Sequence, residues 1–78
     1  MSTLDDWTQA LCADLGLALD DAVPKTVLDV ARVVAHQVDR PAAPLTAYFL
    51  GAAVASGQPL ADTAARIRQL AEAWQPGA

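Results

Sequence analysis

Pro24, Pro41, Pro44 and Pro59, together with Gly16 and Gly57, cut this chain into four short stretches. A proline lacks a backbone N–H and is tolerated only at the start of a helix, and a glycine readily ends one. No stretch between these marks alternates apolar and polar residues with a period of two, so strands are not expected. The spacing of apolar residues predicts helices over about 4–15, 24–39, 44–56 and 59–74. Connections this short favour antiparallel neighbours.

The first helix is capped by Thr3, with Asp5 and Asp6 near the positive end of its dipole. Leu4, Trp7, Thr8, Leu11 and Leu15 share one face. The second carries Val27, Ala31, Val34 and Val38 as its main stripe, flanked by Leu28, Val30 and Ala35. The third is apolar nearly all round, which predicts a central helix buried by several neighbours. Within it Ala47, Gly51 and Ala55 recur every four residues, and a glycine there implies close approach by another helix. The fourth places Leu60, Ala64, Ile67, Leu70, Ala71 and Trp74 on one side. The expected fold is all-α: a single domain over residues 1–78, a small four-helix bundle with a buried apolar third helix. Fifty-four per cent of the residues are hydrophobic, which excludes a disordered tail. It also leaves self-association into a homodimer as one way to cover surface.

Charge and composition exclude several functions. The net charge is −4, with five basic residues against nine acidic ones, so no nucleic-acid partner is expected. Residues 1–24 hold five aspartates and no lysine or arginine. That segment reads either as a solvated acidic end or as a patch for a basic partner. The apolar run 41–55 is too short to span a bilayer, so no membrane partner is expected either. The opening MSTLDDWTQ lacks the basic and apolar regions of a secretory signal. Cys12 is the only cysteine, which fits a reducing, cytoplasmic setting.

The chemistry of sites is equally restrictive. One Cys and one His on different helices do not make a zinc site, and the aspartates near residue 20 lack calcium-loop spacing. The two serines, Ser2 and Ser56, sit in the tail and at a helix end, so no serine triad is expected. Cys12 and His36 are a formal nucleophile pair, but Cys12 flanks an apolar stripe and reads as a small hydrophobe. No phosphate-binding glycine loop is present. The chain is therefore read as a non-enzyme without metal or cofactor. Acyl carrier proteins share its size and acidity, but the stretch DDAVPKTVLDV lacks the serine that carries their prosthetic group.

One polar constellation remains. Arg32, His36 and Arg40 recur every four residues down the second helix, just before the start of the third. With the hydroxyl of Thr46 they form a candidate site for a phosphate, a nucleotide or a pterin-type anion. The structural alternative is equally concrete. Cations near a helix C-terminus stabilise it, and Asp29 stands three residues before Arg32.

The stretch LDVARVVAHQVDRPAAPLTAYFLGAA resembles the central signature of a family of small bacterial helical domains of unknown function. The matching positions are Arg32, His36, Arg40, Pro41, Pro44, Leu45, Thr46 and Gly51, with Tyr48 where phenylalanine is as common. The similarity runs from Leu4 to about Trp74, and the run Arg-Pro-Ala-Ala-Pro-Leu-Thr is its specific part. Such domains occur alone or attached to nucleotidyltransferases similar to molybdenum cofactor guanylyltransferase. The resemblance implies an accessory role near molybdenum cofactor biosynthesis, with such a transferase or another molybdenum cofactor protein as partner. It implies no catalytic residues.

Overall fold

The computed structural model describes residues 2–75. It is all-α, with four helices in the order α1 (Thr3–Leu15), α2 (Ala22–Gln37), α3 (Ala42–Ala55) and α4 (Leu60–Glu72). There is no strand among the described residues.

The ends of α1 and α3 follow the glycine punctuation, whereas α2 ends at Gln37 and α4 at Glu72, each two residues before the expected 39 and 74. After α1 the Gly16 N–H donates to the Ala13 carbonyl and the Leu17 N–H to the Cys12 carbonyl. After α3 the Gly57 N–H donates to Val54 and the Gln58 N–H to Ala53. Both are the paired bonds of a Schellman stop, which needs a left-handed residue. Gly16 has φ 70° and Gly57 φ 111°.

Helix starts differ from the expected ones by one or two residues. Ser2, not Thr3, caps α1, its Oγ accepting from the Asp5 N–H at 3.1 Å. α2 begins at Ala22 and α3 at Ala42, two residues before Pro24 and Pro44. Both prolines thus sit third in their helices. The first four N–H groups of a helix have no partner within it, so a proline costs little anywhere in that turn. The Asp20 carboxylate accepts from the Ala22 N–H at 2.9 Å and helps fix the earlier start of α2.

Three helices build the core. Val30 and Val34 of α2, Leu50 of α3, and Ala64 and Ala71 of α4 are buried together. Val27, Val33, Ala42, Val54, Leu60 and Ile67 pack around them. α2 packs against α3 and α4, and α3 packs against α4. α1 packs against none of them and buries no residue. The stripe Leu4, Trp7, Leu11 and Leu15, expected to face the core, is exposed.

That arrangement corrects the expected burial of the third helix. In α3 Leu50 alone is buried, while Leu45, Tyr48 and Phe49 are 62–72% exposed. The reason is a shortage of neighbours: α2 and α4 cover one side of α3, and no fourth helix covers the other. Gly51 is also corrected. It is exposed, and a Cβ built on it meets nothing within 4 Å, so it marks no close helix contact.

The two kinds of glycine predict opposite outcomes. Gly51→Ala should raise stability by about 1 kcal/mol, the helix-propensity difference. Gly57→Ala should lower it by about 1–2 kcal/mol, because a side chain disfavours the left-handed region. Urea unfolding of both variants checks this, and a Gly51→Ala that destabilises would contradict the open space around that residue.

Candidate functional site

The polar corner on α2 is held by one carboxylate. Asp29 Oδ1 accepts from Arg32 Nη2 at 2.8 Å, as its place three residues upstream predicts. Asp29 Oδ2 accepts from Arg68 Nη1 at 3.2 Å, which ties α2 to α4. Both pairs are partly solvated, so each contributes well under about 1 kcal/mol. Arg32 is thus already paired. His36 and Arg40 are exposed further along, and neither they nor Asp39 form an ion pair among the described residues.

Thr46 stands elsewhere. It lines a cleft of about 170 Å³ between α2, α3 and α4, with Val38, Ile67, Leu70 and Trp74 among its neighbours. None of Arg32, His36 and Arg40 lines that cleft. The three basic residues are exposed on α2 and its C-terminal connection, and Thr46 is one of the residues lining the cleft.

The more extensive feature is apolar. A second groove runs between α3 and α4, with Phe49, Ala53, Ile67 and Leu70 along its length and Gln58 and Arg66 at its rim. Ile67 and Leu70 line both this groove and the cleft beside Thr46, so the two form one face. Phe49 is 64% and Leu70 63% exposed on it. Tyr48 stands next to Phe49, ring edge to ring face with centroids 5.4 Å apart. Sequence periodicity placed Ile67, Leu70 and Trp74 on the inner side of α4 and so gave no hint of this face. The signal available was the surplus of apolar positions on α3.

Among the described residues, the thiol, imidazole and hydroxyls considered in the sequence are not brought together. α1 does not pack against α2, so Cys12 is not brought to His36. The Ser2 Oγ accepts from the Asp5 N–H, and the Ser56 Oγ donates to the Ala53 carbonyl at 2.7 Å. No group of three His, Cys, Asp or Glu residues suited to a metal occurs among the described residues. No helix among them is long and apolar enough to cross a membrane.

Residues 1–78, the whole chain, match the model of a family described as a domain of unknown function, DUF6457. The chain belongs to the DUF6457 family. Neither a curated protein nor a solved structure matches it. Membership agrees with the resemblance on its central point, a domain family without an assigned function. For this DUF6457 chain the apolar face of α3 and α4 and the apolar stripe of α1 are both left exposed by packing within the chain.

Proposed function

We propose that this DUF6457 chain is a non-enzymatic helical module that binds another protein. The observation that carries the reading is the outer face of α3, where Leu45 is 62% and Tyr48 72% exposed outside the groove shared with α4. Large exposed apolar patches on small domains are typical of interaction sites. The serine hydroxyls are occupied with backbone at helix ends, which supports a structural rather than a catalytic use.

The resemblance supplies the partner class: in a bacterial cytoplasm, a nucleotidyltransferase similar to molybdenum cofactor guanylyltransferase, or another protein of that biosynthesis. The test is a calorimetric titration of the purified chain into a purified transferase of this class. The expected result is saturable binding with a Kd of about 10 μM or tighter, weakened at least ~10-fold by Tyr48→Asp. No heat of binding at ~100 μM of either protein would overturn this partner.

A further inference from the structure

We propose that the protein forms a two-fold dimer in which the α1 arm of each copy lies in the α3/α4 groove of the other. The inference rests on the reading of the chain as an interaction module and names the occupant of its apolar groove as a second copy.

The first argument is area. A folded monomer of 8.1 kDa exposes about 4,500 Å². This chain exposes 5817 Å², roughly 1,300 Å² more. A standard protein interface buries about 800 Å² on each partner, so the excess is of the size that one dimer contact removes. The radius of gyration agrees: 13.4 Å, against about 11.5 Å for a compact domain of 78 residues.

The second argument is the arm itself. α1 has 13 residues, none of them buried, and meets the rest of the chain only at a cleft where Asp5, Thr8 and Gln9 stand beside Pro24 and Lys25 of α2. A lone helix of that length is marginal in water, even with good caps, and stability comes from packing an apolar face. Leu4, Trp7, Leu11 and Leu15 form such a face, and Trp7 is 61% exposed. An amphipathic helix laid in a groove between two helices is a common mode of recognition.

The third argument is charge. The arm carries Asp5, Asp6 and Asp14 and no basic residue. By helical geometry Asp14 flanks the apolar stripe on the Trp7 side. At the groove rim the Arg66 guanidinium reaches only the Gln58 Oε1, at 3.4 Å, and pairs with no carboxylate among the described residues. Asp14 on the arm and Arg66 at the rim are of opposite charge and fit one another.

The arm is attached at a helix that does not line the groove. The groove is lined by α3, α4 and the turn between them, with no residue of α2. Residues 16–21 join α1 to the N-terminus of α2, the helix that takes no part in the groove. The arm of a second copy approaches the groove free of that attachment, and reciprocal docking closes the pair without leaving an open end.

The test uses the full-length chain alone, with sedimentation equilibrium as the readout. The wild type is expected at twice its 8.1 kDa mass. The arm variant Trp7→Asp/Leu11→Asp and the groove variant Phe49→Asp/Leu70→Asp are each expected to be monomers. Mixed in equal amounts, they should associate again, because the groove variant's intact arm meets the arm variant's intact groove. Arg66→Glu, at an exposed side chain, should weaken the dimer several-fold without unfolding it. A monomeric wild type overturns the proposal. So does an arm variant that stays dimeric, which would mean that the grooves pack face to face. Two folded variants that fail to associate on mixing, or an Arg66→Glu dimer as tight as wild type, overturn it as well. A transferase plays no part in these measurements, so their failure is separate from failure of the partner proposed above.

Discussion

Leu50→Ala should lower the unfolding midpoint by tens of degrees or leave the chain unfolded at 37 °C. Leu50 is 1% exposed, and with Val30 it is one of the two large side chains that are fully buried. The rest of the buried cluster is Val34 and two alanines, so little apolar volume stands in reserve around it. Deleting a buried leucine to alanine costs about 2–5 kcal/mol, through lost transfer free energy and the cavity left behind. A chain of 78 residues has a total stability of about 4–12 kcal/mol. At about 4–8 °C per kcal/mol for a domain of this size, the loss is a large fraction of the whole. Leu28→Ala is the matched control. Leu28 is 51% exposed on α2, and its truncation should change stability by less than ~0.5 kcal/mol. Thermal unfolding followed by circular dichroism separates the two. A Leu50→Ala midpoint equal to that of Leu28→Ala would mean that the core lies elsewhere.

How this core arises also shows which parts of the fold were legible in the sequence. Helix stops were, because Gly16 and Gly57 act locally: each left-handed residue lets the chain turn back on the last carbonyls of its own helix. Starts were less so, because a proline is accepted throughout the first turn, and Pro24 and Pro44 both sit two residues inside. Burial was the least legible property. Hydrophobicity says which side chains can leave water, not whether a neighbour exists to receive them. α3 is apolar all round, yet it has only α2 and α4 against it, and Leu45, Tyr48 and Phe49 stay in solvent. The stripe on α1 has the right period and no surface of its own chain to meet.

The same division runs through the polar corner. The pairing of Arg32 with Asp29 follows from three residues of helical spacing. The second partner of Asp29, Arg68, lies 39 residues away and depends on how α4 is laid along α2. Thr46 and the arginines are near one another in sequence. A helix start lies between them, and Thr46 shares a cleft with Ile67 and Trp74 of α4 and its end.

Ala64→Leu should destabilise the protein by about 1–3 kcal/mol, the cost of forcing extra methylenes into a filled site. Ala64 is 1% and Ala71 3% exposed, and both belong to the cluster with Val30 and Val34 of α2. α2 packs against α4 as well as against α3. Two alanines on α4 let that contact be close, since they present almost no side chain for α2 to clear. A leucine at position 64 must push the helices apart, strain its own rotamer, or displace Leu50 across the core. Ala61→Leu supplies the comparison, because Ala61 is exposed on the same helix and its enlargement adds no strain. Its effect should stay within ~0.5 kcal/mol, so the difference between the two variants in urea unfolding isolates the packing cost. Were Ala64→Leu instead to stabilise the chain, the seam between α2 and α4 would hold unfilled space. The alanines would then reflect helix propensity rather than close packing.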